Sequence, residues 1–405
     1  MELDLRTVRD EERERFFQAI MTGFGATGPD ENDEYPAHLL PTERCLAVHV
    51  DDTVVATASA FSFRITVPGG ARVAAAGVST VTVHPTHRRR GVLRQMMDEQ
   101  LDDVARRGEP LALLTASEAS IYARFGYGAA TFTTKWELAS EYASVQPSAP
   151  TTGTIRLVDG DAAVKAAQAV YDTAASARVG EIERPPEWWT PLFARGARAA
   201  RYFTAVHDAP DGTPDAFARY ALEQQWPDGV PGHTLRVTEV QAVDSDAEAA
   251  LWSYLFGVDL VGTIAACDRP VDDPLRWRLP DARRMRVREL RDHLWVRIVD
   301  VAAALAARTY GTDDALVVEL VDEFRPANGG HWLIEGGPHG ATCTRTDRAA
   351  DLALTAPDLG AVYLGGVAVS TLAAAGRVRE LTSGAVPRAD SFFLVHPSPW
   401  CTTHF

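Results

Sequence analysis

The apolar positions of this chain change period sharply near residue 84. Residues 78–83, VSTVTV, form a β-branched run that predicts a strand, and Pro85 blocks its continuation. Beyond Arg88-Arg89-Arg90-Gly91 the period becomes helical. Leu93, Met96, Met97, Leu101, Val104 and Ala105 fall on one face, and Gly108 is placed to cap the end. Residues 111–115 predict the next strand. Ile121, Tyr122 and Phe125 then predict a short helical turn, stopped by Gly126 and Gly128. Upstream, residues 3–8 read as a short strand, and residues 10–24 as a helix with Phe16, Phe17, Ile20, Met21 and Phe24 mostly on one side. Residues 45–49 and 53–67 predict strands. Pro68-Gly69-Gly70 turns the chain tightly into residues 71–83, so a hairpin feeds the strand before the arginines.

Residues 131–138 read as the last strand of a first domain, and SVQPSAPTTG, residues 144–153, as a linker. A helix is expected at 161–177, strands at 200–207, 216–224 and 235–243, a helix at 246–257, and an apolar strand at 260–267. That succession repeats the order of the first domain. A third segment starts near Met285 with strands at 285–290 and 294–298 and an alanine-rich helix from Val301. Strands at 315–323, 331–334, 341–346 and 351–355 follow, then helices at 356–364 and 369–375, and a strand at 392–395. The pattern predicts an α+β protein divided at 1–145, 146–284 and 285–405. Trp188, Trp189, Trp226, Trp252 and Trp277 are expected in the core or at interfaces.

Length agrees, since single cores rarely grow past about 250–300 residues and this chain has 405. The balance of 40 basic and 55 acidic residues gives a net charge of −15. It argues against nucleic acid and anionic membranes as partners and favours cationic ligands. Cys45, Cys267, Cys343 and Cys401 show no CxxC spacing, as in a reducing compartment. The N-terminus is too charged for a signal peptide, and no apolar run approaches a membrane span. A cytoplasmic protein is expected.

Strand, arginine-rich turn, glycine and helix together make an anion cradle. The first N–H groups of a helix lack intrahelical partners and sit at its positive end. A pyrophosphate there collects main-chain hydrogen bonds, Gly91 lets the backbone approach, and the arginines add charge. A basic run alone is usually only solvated; here its position between a strand and a helix, in an acidic chain, argues for a site. Before the corresponding helix of the second domain stands Ala242-Val243-Asp244-Ser245-Asp246, which would repel a pyrophosphate. His84-x-x-His87 and Cys401-x-x-His404 lack two further ligands at zinc-like spacing, so no metal is expected. No Gly-x-Ser-x-Gly elbow and no cysteine in a basic or helix-start context marks a nucleophile. Ser117 is placed to cap the short turn after residue 116. Asp30, Glu31, Asp33 and Glu34 make an acidic loop after the first helix, either plainly solvated or a wall of a site.

Arg88-x-x-Gly91-x-Leu93 resembles the acyl-CoA-binding motif of the GNAT superfamily, Arg or Gln, two residues, Gly, one residue, Gly or Ala; Leu93 departs from its last position. HRRRGVLR together with ASE..IY.RFGYG resembles the Eis (enhanced intracellular survival) branch of those N-acetyltransferases. The resemblance implies two tandem GNAT folds, the second degenerate, and a sterol-carrier-protein-like third domain, in which nothing marks a sterol site. It implies acetyl-CoA as co-substrate, its pantetheine arm lying between splayed strands and bonded to main-chain groups of Val81 and Val83. Around it would stand Thr82, Arg88, Arg89, Arg90, Gly91, Val92, Leu93, Arg94, Ser117 and Glu118. Tyr122 would protonate the departing thiolate, a task that a phenol with a reference pKa of about 10 suits; Tyr127 is the competing candidate, read as packing. The acidic loop would then wall the acceptor site.

The end of the chain, with Pro397, Pro399, Trp400 and Phe405, reads as a stiff tail anchored in an apolar slot. In the Eis branch the terminal carboxylate, here that of Phe405, serves as base. An α-carboxyl has a reference pKa of about 3.5, so the role needs burial to raise it, and orientation and proton relay fit best. The resemblance further implies aminoglycoside acceptors and a homohexamer. Lysine side chains are the second acceptor class, and a CoA-sensing or lipid-binding regulatory protein is the reading from another class.

Overall fold

The structure, a computed structural model, describes residues 4–25, 39–51, 53–146, 152–194 and 202–405. The chain forms two compact units, Met1–Thr131 with Asp292–Phe405, and Phe132–Arg291. The acidic loop residues Asp30, Glu31, Asp33 and Glu34 lie outside the described residues.

The first unit opens with β1 (Asp4–Thr7), α1 (Arg13–Phe24), β2 (Cys45–Val50), β3 (Thr53–Thr66) and β4 (Arg72–Val83). Then come α2 (Val92–Arg106), β5 (Leu111–Thr115), α3 (Ala119–Tyr122) and β6 (Gly128–Ala129). The second unit contains β7 (Phe132–Ala139), β8 (Thr154–Val158), α4 (Gly160–Ala177), α5 (Pro186–Ala194), β9 (Tyr202–Asp208) and β10 (Pro214–Glu223). It continues with β11 (His233–Ala242), α6 (Ser245–Phe256), β12 (Val261–Pro270), α7 (Leu275–Arg278) and β13 (Arg286–Asp292). The chain returns to the first unit with β14 (Leu294–Ile298), α8 (Val301–Ala306), β15 (Asp314–Val321), β16 (Gly330–Gly337) and β17 (Gly340–Arg345). It ends with β18 (Leu352–Thr355), α9 (Ala356–Tyr363), α10 (Val369–Ala374), β19 (Arg379–Glu380) and α11 (Ala385–Phe393).

Two sheets build the first unit. One runs β1-β2-β3-β4-β5-β14-β6 and the other β17-β16-β15-β18-β19. Against the first sheet α2 buries Met96, Met97, Leu101 and Val104, as the helical spacing predicts, and Val92 with them, whereas Leu93 is half-buried and Ala105 is exposed. A buried bidentate pair, Arg44 Nη1 and Nη2 to Glu109 at 2.7 Å each, locks the turn before β2 to the turn after α2. β14 was expected in the third segment, yet it pairs antiparallel with both β5 and β6. Its five residues LWVRI are all buried, as in a strand with neighbours on both edges. Across its far end α9 comes so close that a Cβ on Gly128 would sit 1.8 Å from the Pro357 carbonyl oxygen, so only glycine fits.

The second unit is one sheet, β13-β7-β12-β11-β10-β9-β8. Here the expectation for residues 131–138 is corrected, because β7 pairs with β12, Trp136 opposite Ala266, and not with the first sheet. The cause is a core: Trp136, fully buried, packs on Trp252 at 5.3 Å, and Leu138 joins the same cluster. Trp188 and Trp189 are buried as expected, whereas Trp226 and Trp277 are 56% and 82% exposed. A second correction concerns residues 392–395. Ala385, Ala389, Phe392 and Phe393 are buried at helical spacing, so Phe392 and Phe393 end α11 and no strand forms there. No helix of the described residues is long and apolar enough to cross a membrane.

Candidate active site

The arginine turn ends on two residues in left-handed backbone, Arg89 at φ 61° and Gly91 at φ 81°. Nothing stands within 4 Å of where a Gly91 Cβ would lie. Glycine is therefore favoured here by backbone conformation, not by packing. Gly91 is also the N-cap of α2, and among the described residues no side chain caps that helix, so its first amides face the open turn. The matching helix α6 is built the other way. Asp244 Oδ1 accepts from the amides of Asp246 and Ala247 at 2.9 Å each, so a fixed carboxylate already fills the position an anion would take. The sequence reading of Ala242–Asp246 as hostile to a pyrophosphate thus gains a physical form.

β4 and β5 run parallel only from Ala75–Leu111 to Gly77–Leu113. Beyond Gly77 β4 continues to Val83 without pairing to β5, although β5 itself runs on to Thr115. The parting starts beside a bulge: between Thr57 and Ser59 the register of β3 against β4 shifts, and Thr80 takes φ 52°. Two hydrogen bonds fix the bulge, Ser59 Oγ to Thr80 Oγ1 at 2.8 Å and Thr57 Oγ1 donating to the Thr80 carbonyl at 2.8 Å.

A cleft of about 950 Å³ lies along the free end of β4 and joins the arginine turn to α3. Val81, Thr82, Val83, Arg88, Arg89, Gly91, Val92, Leu93, Arg94, Ser117 and Glu118 line it, with Tyr122 among them. Of the residues named from sequence for acetyl-CoA, Arg90 is the one that does not line this cleft. Arg88 Nε donates to the Val83 carbonyl at 3.2 Å, which ties the turn back to the strand. Ser117 does not cap the short helix; Glu118 takes the N-cap position without a side-chain bond, and Ser117 lines the cleft instead. Gly23, Phe24, His87, Ser120, Ile121, Arg124 and Phe125 complete the lining and were not named from sequence as binding residues. Gly23 arrives by tertiary packing, since a Cβ there would lie 2.4 Å from the Thr82 Cβ. No local signal carries that contact.

Tyr122 is 7% exposed, and no hydrogen bond within the described residues ties its hydroxyl. Burial pushes its pKa up to about 12, and the nearby Glu118 charge adds to the rise. Its ring meets Tyr127 edge-on at 6.1 Å. Tyr127 is fully buried in the same cluster as Met97, Leu101 and Phe125, away from the cleft lining, in keeping with a packing role. At the chain end, Trp400, Cys401, Thr403 and Phe405 are all buried, as the apolar tail predicts. The Phe405 ring packs edge-on against Phe63 at 5.1 Å. A Cβ on Gly77 would lie 3.1 Å from Phe405 Cδ2, so this ring sits at the last β4 residue before the strands part.

Residues 4–130 and 180–298 each match the acetyltransferase (GNAT) domain family, and residues 301–402 match the sterol carrier protein domain family. The N-acetyltransferase Eis of Mycobacterium tuberculosis is 36% identical over 367 residues, covering 88% of each chain. This chain belongs to the Eis family of GNAT N-acetyltransferases. The crystal structure of Eis1 from Mycobacterium abscessus is 34% identical and superposes with a TM-score of 0.89 across 100% of both chains. An N-acetyltransferase of Streptomyces coelicolor is 42% identical over 412 residues, covering 99% of each. As an Eis-family protein the chain is an acetyltransferase with two GNAT folds and a sterol-carrier-like domain, so the resemblance drawn from HRRRGVLR and ASE..IY.RFGYG holds for family, fold and enzyme class.

Proposed function

We propose that the cleft binds acetyl-CoA and that the enzyme transfers its acetyl group directly to a primary amine of a cationic acceptor, an aminoglycoside foremost. The observation that carries this reading is the cleft beside the unpaired end of β4, which leads from the uncapped start of α2 to the Tyr122 side chain, while Phe405 packs at Gly77, where β4 and β5 part. In that arrangement the diphosphate rests on the α2 amides and Arg88, Arg89 and Arg94, and the pantetheine arm takes the place of a strand along Val81 and Val83. The acceptor nitrogen attacks the thioester carbon, the C–S bond breaks, Tyr122 gives its proton to sulfur, and the C-terminal carboxylate takes the proton that nitrogen sheds. The net charge of −15 supports a cationic acceptor.

Thiol release from acetyl-CoA, followed with kanamycin-like amines and with a lysine peptide, tests the proposal. Fast release with the aminoglycoside and slow release with the peptide is the expected result. The reverse order would move the assignment to protein lysines. Acetyl-CoA binding without release for any amine would leave a CoA-binding regulator.

Gly91→Ala tests the cradle separately. Left-handed backbone costs an alanine about 1–2 kcal/mol, and relief of that strain turns the amides away from the ligand. KM for acetyl-CoA should rise roughly tenfold, with kcat at saturation little changed. An unchanged KM would place the diphosphate elsewhere.

A further inference from the structure

A residue of the third domain packs directly behind the lining of the cleft. Phe324 lies in the segment after β15, is 8% exposed, and joins the cluster of Met97, Leu101, Tyr122 and Phe125. Its ring meets Phe125 edge-on at 5.0 Å, and the Arg94 guanidinium stands over it, 5.1 Å from the ring centroid. Both neighbours line the cleft, Phe125 as a buried residue and Arg94 as an exposed one in the first turn of α2.

The segment bearing Phe324 is held firmly. Asp322 accepts from Arg297 Nη2 at 2.6 Å, from the Arg325 amide at 3.0 Å and from Asn328 Nδ2 at 3.2 Å. The Arg297–Asp322 pair has side chains only 1% exposed on each side. Arg325 pairs with Asp102 on α2, so the same loop grips the helix whose start forms the cradle. A cation on that helix thus rests on an aromatic face fixed from another domain.

We propose that Phe324 is a positioning residue for acyl-CoA: it holds the Arg94 guanidinium toward the cleft, so that the sterol-carrier-like domain completes a binding site opened by the first domain. The proposal rests on the reading of the cleft as the acetyl-CoA site. A long arginine on an exposed helix turn spreads over many rotamers, and ordering it on a phosphate costs entropy. A ring beneath its guanidinium removes part of that freedom beforehand and leaves the N–H edges free for phosphate oxygens.

Calorimetric binding of acetyl-CoA to the full chain provides the test. Phe324→Leu keeps an apolar side chain and removes the ring face; Phe324→Met repeats the comparison with another shape, should the leucine variant fold poorly. Each should weaken acetyl-CoA by about two- to fivefold, the equivalent of one exposed cation–π contact. Phe324→Tyr should restore wild-type affinity. In an Arg94→Ala background the same substitutions should change affinity no further. S-acetylpantetheine, which carries no phosphate, should bind wild type and Phe324→Leu alike. In steady state the change should fall on KM and spare kcat. Additive losses in the two backgrounds, an equal loss with acetylpantetheine, or a fall in kcat at unchanged affinity would reduce Phe324 to ordinary core and overturn the proposal. Failure of the wild-type chain to bind acetyl-CoA at all would overturn the cleft assignment itself, a result distinct from additivity.

Discussion

Tyr122→Phe is expected to lower kcat by about 10²-fold, at the lower end of the range for a general acid, while leaving KM for acetyl-CoA within about twofold. Phenylalanine fills the same volume at a site that is 7% exposed, so the fold should survive. The size follows from the acidities involved. A phenol pushed up to about 12 would pass its proton uphill to an ordinary thiolate, with a reference pKa of about 8.5. Burial in the cleft raises the thiolate as well, because both anions lose water. In the proposed mechanism the phenol's first contribution is then a hydrogen bond to charge developing on sulfur, with the proton following as the C–S bond opens. Single-turnover measurement separates this step from binding and product release. Near-normal turnover in the variant would remove Tyr122 from the chemistry.

The same shift sets a pH expectation. Because burial raises the folded-state pKa of Tyr122 to about 12 from an ordinary 10, the protonated phenol persists throughout the neutral and mildly alkaline range. Its contribution to stability is fully present below about pH 10 and is lost as pH rises through the folded value. The rate profile should therefore show no alkaline limb from this group below about pH 10. A limb near that pH which vanishes in Tyr122→Phe would mean a phenol open to water, contrary to its burial.

Much of the candidate site's local geometry is legible because its signals are local. A strand ending in β-branched residues, arginines before a glycine, and a helical stripe from Leu93 fix the cradle within one short stretch, and the structure departs little from that reading. What the sequence could not convey depends on partners far along the chain. β14 reads as a strand of the third segment, and only the edges of β5 and β6 draw it into the first sheet. β7 reads as the end of the first domain until Trp136 finds Trp252 in another core. Phe324 carries no local mark at all; its meaning comes from Arg94 and Phe125, more than 190 positions earlier. Ser117 is the opposite case: a good capping residue by type, it stands one residue before the N-cap position, which Glu118 occupies.

Extending the chain beyond Phe405 by a short Gly-Ser segment should lower kcat by about 10²-fold or more, and leave acetyl-CoA affinity and melting temperature nearly unchanged. In the proposed mechanism the Phe405 ring fixes the position of the base. It is 3% exposed, packed on Phe63 at 5.1 Å and pressed toward Gly77, where β4 and β5 separate. Anchoring the ring of the residue that bears the carboxylate restricts where that carboxylate can go, whereas an appended peptide bond replaces its charge with a neutral amide that keeps one acceptor oxygen. Phe405→Ala isolates the other half of the argument. It retains the carboxylate but loses the ring, so the acceptor oxygens are no longer held, and a displacement of about 1 Å can cost as much as 10²-fold. The two variants should thus fail in the same step for different reasons, with acetyl-CoA binding intact in both. An extended chain that turns over at the wild-type rate would show that some other group relieves the attacking nitrogen of its proton.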